Sequence, residues 1–150
     1  MESIIFDTFP HFKDFCSNEE KDGEHFISVV VPSPADAAEK LEIYIYEEEV
    51  ILCFSFWHAH YSETYGNIDT LTKVIDEIFS EQLAICKYIC EDEPPIEAGV
   101  FVSMLKKISE LPTQNTEYYY AKEIQHTSWR GTFSRKFSAA YISKDIENMP

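Results

Sequence analysis

Glycine is scarce in this chain of 150 residues, which contains four glycines, none close to another. Loops that hold phosphate groups need glycine clusters, and the sequence has neither the P-loop pattern nor the dinucleotide-binding pattern G-x-G-x-x-G. The motifs of nucleophilic catalysis are missing too, since there is no G-x-S-x-G elbow and no S-x-x-K. These absences remove the common signatures of nucleotide-binding proteins and hydrolases. We therefore expect neither enzymatic activity nor a cofactor.

Basic residues are also few: 12 Lys and Arg stand against 27 Asp and Glu, a net charge of −15. The excess is uneven, because residues 1–110 carry a net charge of −16 and residues 111–150 one of +1. A negative field repels nucleic-acid phosphates and anionic lipids, so we expect neither nucleic acid nor a membrane as partner. It attracts basic proteins. An acidic surface that serves only solubility is the alternative.

Long apolar runs are absent, and none approaches the roughly 20 residues that a membrane-spanning helix needs. The N-terminus lacks the basic start and the apolar core of a secretory signal. We therefore expect a cytoplasmic protein with a single domain over residues 1–150. Its four cysteines form no C-x-x-C pair and are expected to be reduced and mostly buried: Cys16, Cys53, Cys86 and Cys90.

What the chain does contain is enough apolar and aromatic residues, 45% and 15%, to fill a core. The patterns predict strands, with Val50–Trp57 central in its sheet and Phe54 and Trp57 in the core. They also predict helices over residues 68–82, with Asn67 as N-cap, and over residues 100–108. Further expected elements are a short helix among residues 4–15, a loop over 17–24, and strands over 25–31, 41–47, 50–60, 83–90, 117–128 and 132–142. This order predicts an α+β fold: a mostly antiparallel sheet of five or six strands with two helices packed on one face.

Two histidines one residue apart, His58 and His60, follow the apolar run of residues 50–57. On one strand they share a face and could reach one metal ion, with His126 or a carboxylate as a third ligand. Counting back by two places them on the core side with Phe54 and Phe56, where each would bond to backbone or a carboxylate. We favour this structural interpretation. A small metal-dependent enzyme that uses His58 and His60 remains the alternative.

Three features together resemble a known class of protein. They are a Glu-rich turn leading into an apolar strand that ends in H-x-H (Glu47–Tyr61), a helix and strand (Ile68–Cys90), and an S-W-x-G-[ST]-aromatic turn (Ser128–Phe133). The chain is similar in these features to the small acidic immunity proteins that bacteria encode beside polymorphic or contact-dependent growth-inhibition toxins. The resemblance implies a protein that binds a cognate basic toxin domain, often a nuclease, and blocks its active site.

The charge pattern agrees with that implication, because a nuclease needs Lys, Arg and His to hold phosphates, and carboxylates can take the place of phosphates. The residues that we expect to contact the toxin are acidic clusters and aromatic anchors: Glu47, Glu48, Glu49, Glu91, Asp92, Glu93, Tyr118, Tyr120 and Trp129. Each aromatic could instead belong to the core. An acidic adaptor for an unrelated basic protein is a further alternative.

Overall fold

The structure, a computed structural model, describes residues 1–90 and 101–143. It has the α+β fold predicted from the sequence, with all sheet pairings antiparallel among the described strands. These strands form two sheets, whereas one was expected, and the chain consists of two compact units, Met1–Ser80 and Glu81–Pro150. The single domain over residues 1–150 stays a prediction. No helix over the described ranges has both the length and the apolar character to cross a membrane.

The first unit contains a five-stranded sheet in which each strand pairs with the next along the chain, in the order β1-β2-β3-β4-β5. Its strands are β1 (Cys16–Lys21), β2 (Glu24–Pro32), β3 (Lys40–Ile45), β4 (Val50–Phe54) and β5 (Trp57–Tyr61). Its helices are α1 (Glu2–Thr8) and α2 (Leu71–Phe79), with 3-10 turns at Pro10–Phe15 and Ile68–Thr70. Such a meander needs only short hairpin connections, which local sequence can specify.

Alternation along the strands gives this sheet one buried face. In β3 the side chains of Leu41, Ile43 and Ile45 are buried, while Glu42 and Tyr44 between them lie half-buried on the opposite face. The helices contribute their own apolar residues to the core: Ile5, Phe6, Leu71, Ile75 and Ile78 are buried. The spacing of four and three residues in α2 places its buried side chains on one stripe, as the sequence predicts.

The second unit contains a four-stranded sheet in the order β7-β6-β8-β9. Its strands are β6 (Leu83–Cys90), β7 (Phe101–Lys107), β8 (Ala121–Thr127) and β9 (Arg135–Ser138), and a 3-10 turn covers Ile108–Glu110. Its buried cluster is formed by Cys86, Tyr88, Cys90, Ala121, Ile124 and Ala139. The predicted strands at 83–90, 117–128 and 132–142 are thereby confirmed, the last two with narrower bounds.

The prediction of one continuous strand over residues 50–60 is wrong, because this segment forms two strands, β4 and β5. It turns back at Ser55-Phe56, so that Phe54 pairs with Trp57 across a two-residue hairpin. As a result β3 is the central strand and β5 lies at the edge of the sheet. Phe54 is fully buried, as expected, but Trp57 is only half-buried. The turn was missed because neither of its residues is a glycine or an asparagine.

Two other local predictions are wrong, and two helix predictions are confirmed. The helix expected over residues 100–108 is strand β7, whose backbone pairs with that of β6. This pairing places the Phe101 ring 4.5 Å from the Lys87 ammonium. The loop expected over residues 17–24 is the hairpin of β1 and β2. The helix over residues 68–82 is confirmed as a 3-10 turn followed by α2, which ends at Phe79. The short helix expected among residues 4–15, which the proline at position 10 allows only as a helix start, is the 3-10 turn Pro10–Phe15, whereas α1 before it was not predicted.

Candidate functional site

The turn between β3 and β4 carries the first acidic cluster, as the sequence predicts. The Tyr46 amide donates to the Glu49 carbonyl at 2.9 Å, which closes the hairpin and leaves Glu47 and Glu48 at its tip. Both tip residues are exposed, whereas Glu49 is half-buried. Two adjacent carboxylates at the tip of a tight turn cannot both be buried, so their negative charges face the solvent.

This turn forms one wall of a cleft of about 430 Å³. The cleft is lined by two strand-end segments and the loop after β5: Glu24, Tyr46, Glu47, Glu48, Glu49, Ser62, Thr64 and Tyr65. Four carboxylates and two tyrosines therefore share one concave surface, and no Lys or Arg is among these lining residues. We call it the acidic cleft.

The loop that forms the other wall is held in place by Asn67. Its Nδ2 donates to the His60 carbonyl at 2.9 Å, and its Oδ1 accepts from the Ser62 amide at 3.0 Å. The Ser62 Oγ in turn accepts from the Tyr65 amide at 3.0 Å. Asn67 therefore ties the loop to β5, whereas the sequence suggested that its side chain caps a helix. With the backbone fixed in this way, the ring of Tyr65 is presented to solvent with 65% of its surface exposed.

A second hollow of about 580 Å³ adjoins the acidic cleft through Tyr46 and Glu47, which line both. It adds Glu2 and Glu19 to the same side of the unit, together with His25 and the half-buried ring of Phe26. The first unit as a whole has 17 acidic and four basic residues, a net charge of −13, and residues 81–150 carry the remaining −2. The negative field thus belongs to the unit that contains the cleft.

His58 and His60 lie on the exposed face of the edge strand β5, which corrects the expected core-side placement. Because the chain reverses at Ser55, they pair with Cys53 and Ile51 and not with the buried face of β4. His60 Nδ1 lies 2.9 Å from Glu49 Oε2, so it meets a carboxylate, and the His58 ring is 5.5 Å from that of His60. Over the described residues, no group of three His, Cys, Asp or Glu side chains is placed to hold a metal ion.

The aromatic residues proposed for toxin contact lie in the second unit and differ in exposure. Tyr118 is half-buried and its ring is 4.7 Å from that of Tyr88 in the buried cluster, while Tyr120 is half-buried beside it. Trp129 is buried, with 6% of its surface exposed, which matches the core alternative. The exposed ring of this segment is Tyr119, at 76%, the middle residue of the run of three tyrosines that the sequence offers as contact candidates.

The Tyr118–Tyr120 segment takes its shape from Asn115, which is fully buried. Its Nδ2 donates to the carbonyls of Tyr118 and Ala121 at 2.7 and 2.8 Å, and its Oδ1 accepts from the Tyr118 amide at 3.1 Å. These bonds turn the chain so that Tyr118 packs inward and Tyr119 outward. A buried asparagine in a polar stretch gives no sequence signal that would predict this outcome.

The S-W-x-G-T turn has a structural role that the sequence did not predict. The Glu81 carboxylate accepts from the amides of Arg130 and Thr132 at 2.8 and 3.3 Å, and so clamps the turn from 49 and 51 residues away. Burial alone raises the pKa of Glu81. Hydrogen bonds from the hydroxyls of Thr132 and Ser128 and from the two amides outweigh it, so the pKa lies below its ordinary value. The S-W-x-G-T motif is therefore a turn that the Glu81 carboxylate holds in place, which we call the clamped turn.

The cysteines are free, as expected, but their burial varies. Cys86 and Cys90 are buried, Cys53 is half-buried and Cys16 is exposed. Burial raises the pKa of the Cys86 thiol to about 11, so at neutral pH it is a protonated, unreactive group of the core. The expectation of burial is therefore wrong for Cys16.

The remaining acidic cluster, Glu91, Asp92 and Glu93, lies outside the described residues. Of the expected contact residues, the structure brings together Glu47, Glu48 and Glu49, and it adds Glu24 and Tyr65 to them. Glu24 and Tyr65 escaped notice because they are distant in sequence and meet only through the hairpins. No protein-family model, no curated protein and no solved structure matches this chain.

Proposed function

We propose that this chain is an immunity-type protein of a bacterial toxin system, which acts in the cytoplasm and binds a cognate basic toxin domain. The observation that carries the proposal is the acidic cleft, in which Glu24 and Glu47–Glu49 surround a hollow that has no basic lining residue. A toxin that cleaves nucleic acid must hold phosphates with cationic side chains. The carboxylates of the cleft would pair with those cationic side chains in place of phosphates and so block the toxin's active site.

The exposed ring of Tyr65 supports the proposal, because tyrosine is among the side chains that dominate binding energy at protein interfaces. Its backbone is fixed by Ser62 and Asn67, so little order has to be gained on binding. An arginine of the partner could meet the face of this ring and the neighbouring carboxylates at once. The cleft thus combines a rigid aromatic anchor with charge.

The charge distribution also supports a basic protein partner. The net charge of −13 on residues 1–80 accelerates encounter with a positive surface, because long-range attraction raises association rates. The half-buried Glu49 is positioned by His60 at 2.9 Å, which orients its carboxylate on the cleft wall. Because this pair is partly exposed to solvent, it adds little to stability, and its contribution is to hold the Glu49 carboxylate in place.

The experiment that tests the proposal begins with the protein encoded by the neighbouring gene. We expect its toxin domain to arrest bacterial growth and co-expression of this chain to restore it. The double variant Glu47→Lys/Glu48→Lys reverses the exposed tip without touching the half-buried Glu49, and we expect it to lose protection. The control, Asp69→Lys/Asp76→Lys, makes the same change of charge at exposed residues that line neither hollow.

Three outcomes would contradict the proposal. If both double variants fold and protect as well as the native chain, the acidic cleft is not the contact surface. If the neighbouring protein is no toxin but binds this chain, the chain is an acidic adaptor. If the purified chain contains a stoichiometric metal that His58→Ala removes, the metal-dependent enzyme becomes the better interpretation.

A further inference from the structure

The second hollow, which adjoins the acidic cleft, contains a pair of stacked aromatic rings. Phe26 on β2 and Tyr46 directly after β3 have ring centroids 4.9 Å apart and ring planes that differ by 29°. The ring of Tyr44 meets that of Phe26 edge-on at 6.0 Å. All three rings are half-buried, so part of each aromatic surface is open to solvent. They lie on the face of the sheet opposite the core, because Ile43 and Ile45 on either side of Tyr44 are buried.

Three carboxylates line this hollow, those of Glu2, Glu19 and Glu47. All three are exposed, and none has an ion-pair partner among the described residues. By contrast Glu42, which does not line the hollow, pairs with Lys40 at 3.2 Å. No Lys or Arg is among the lining residues. The hollow therefore combines an aromatic surface with negative charge that no Lys or Arg of the described chain pairs with.

Glu19 is placed beside the rings by the register of β1 and β2. It lies directly opposite Phe26 across the two strands, so both side chains are on the same face of the sheet. Ser17, two positions earlier on β1, donates its hydroxyl to Glu19 Oε1 at 2.7 Å, which holds the carboxylate on that face. A cation that lies on the ring of Phe26 therefore has a carboxylate beside it.

The side chain that fits both features is arginine. Its planar guanidinium stacks on aromatic rings and is more weakly hydrated than an ammonium group. Its N–H groups can at the same time donate to a carboxylate at the edge of the ring. A lysine ammonium is a compact, strongly hydrated charge without this planar fork. The hollow of about 580 Å³ has room for such a side chain.

We propose that the second hollow binds an arginine side chain of a protein partner. The guanidinium lies against Phe26 and Tyr46 and pairs with the carboxylate of Glu19. This proposal rests on the proposed function, because the partner is the same basic protein that the acidic cleft binds. It adds that the first unit recognises an arginine at a position outside the cleft, and does not respond to positive charge alone.

The measurement is an NMR titration of the ¹⁵N-labelled full chain, following the backbone amide signal of residue 26. Three peptides that differ only in the central residue are the probes: acetyl-Gly-Arg-Gly-amide, its lysine analogue, and its analogue with citrulline, a neutral isostere of arginine. Each is added to about 5 mM, so that millimolar binding is detected. We expect the citrulline peptide to bind about tenfold more weakly than the arginine peptide, and the lysine peptide about threefold more weakly.

Two variants separate the ring from the carboxylate. Phe26→Leu keeps an apolar side chain without the ring, so we expect arginine and lysine peptides to bind to it alike. Its control is Phe56→Leu, because Phe56 is an exposed ring that does not line the hollow. Glu19→Gln should weaken binding of the arginine peptide by about threefold and leave that of the citrulline peptide unchanged. Its control is Glu20→Gln, the same change of charge at the next residue of β1, which does not line the hollow.

The proposal is overturned if the arginine peptide leaves the signal of residue 26 unshifted, or if arginine and citrulline peptides bind alike. It is equally overturned if Phe26→Leu keeps the preference for arginine over lysine, or if Glu19→Gln and Glu20→Gln weaken binding to the same extent.

Failure of this proposal can be told apart from failure of the proposed function, because neither Phe26 nor Glu19 lines the acidic cleft. Selective binding of the arginine peptide, together with a neighbouring protein that is no toxin, would support arginine recognition and contradict the proposed function. Protection that depends on Glu47 and Glu48, without binding of the arginine peptide, would support the proposed function and overturn arginine recognition.

Discussion

Phe54 and Phe56 lie two positions apart in the sequence, yet their rings have opposite environments. Phe54 ends β4 and is fully buried, whereas Phe56 lies in the turn with 49% of its surface exposed. The difference arises because the chain reverses between them, so that the alternation of a single strand no longer applies. At the scale of the residue, burial in this protein is decided by turns as much as by hydrophobicity.

This pair gives a matched test of the core. We expect Phe54→Ala to lower the free energy of unfolding by about 3–5 kcal/mol, because it removes a buried ring and leaves a cavity. Phe56→Ala is the control and should cost about 1 kcal/mol or less, since the exposed part of its ring gains little from folding. Urea denaturation measures both values. Equal costs would show that β4 has been placed wrongly.

Glu81 provides a test of the clamped turn through pH. Its pKa is lowered in the folded chain, so its carboxylate stabilises the fold above its unfolded-state pKa of about 4.3. That stabilisation is lost as the pH falls through the lowered folded-state value. We expect Glu81→Gln to cost about 1–2 kcal/mol at pH 7 and to flatten the dependence of stability on pH below about 4.5.

The control for this variant is Glu110→Gln, an exposed carboxylate of the same unit. Thermal melting at several pH values between roughly 3 and 7 compares the two variants with the native chain. This range includes the ordinary pKa values of carboxylates, about 4. If Glu81→Gln melts like the native chain throughout, the hydrogen bonds to Arg130 and Thr132 contribute nothing measurable.

At the scale of the element, the hairpins separate what could be predicted from what could not. The turn at Glu47-Glu48 was predictable because the alternation on both sides of it points to strands. Asp22-Gly23, with φ of 53° and 80°, is the usual composition of a two-residue hairpin turn, and attention to that pair would have predicted β1 and β2. Ser55-Phe56 carries no such signal, since serine rarely adopts the positive φ of 54° found there.

The same reasoning explains why half of the candidate site was predictable. A run of glutamates is visible in the sequence. Glu24 and Tyr65 come close to that run only through the register of β2 and the hydrogen bonds of Asn67. Likewise the apolar residues of β7 have helical spacing, but the segment is a strand because its backbone pairs with that of β6. Local patterns predict elements, whereas the meeting of distant residues depends on tertiary pairing.

The strained turn at Ser55 yields a prediction of its own. Ser55→Gly removes the steric cost of a positive φ, and although glycine orders less readily, we expect a net gain of about 0.5 kcal/mol or more in stability. Ser80→Gly is the control, because Ser80 is exposed with φ of −82° and has no such cost to relieve. Chemical denaturation of both variants decides the matter. Destabilisation by Ser55→Gly comparable to that by Ser80→Gly would contradict the argument.

At the scale of the whole molecule, the negative charge is concentrated in the first unit. Residues 1–80 carry −13 and residues 81–150 carry −2, so a basic protein is drawn chiefly toward the first unit. Such attraction acts over roughly 10 Å at 0.1 M salt and over about 3 Å at 1 M. The attraction of this surface for a basic protein is therefore strongest at low and moderate ionic strength.

The corresponding prediction concerns rates of association with the toxin domain proposed as partner. Glu47→Lys/Glu48→Lys should slow association by about tenfold or more at low salt and by much less at 1 M, since exposed charges act mainly on encounter. Stopped-flow mixing at both salt concentrations measures the rates, with Asp69→Lys/Asp76→Lys as the control of equal charge. If the two variants slow association equally, the rate depends on net charge alone, and the acidic cleft does not contribute to it beyond its charge.

The acidic cleft is built at the ends of strands and in turns, and this location has an evolutionary consequence. Its lining residues belong to the start of β2, the β3–β4 turn and the loop after β5, while the buried face that holds the unit together lies along the strands. Turn and loop positions tolerate substitution far better than buried ones. Specificity for the partner proposed here could therefore change through these few positions, while the buried residues of the sheet stay the same.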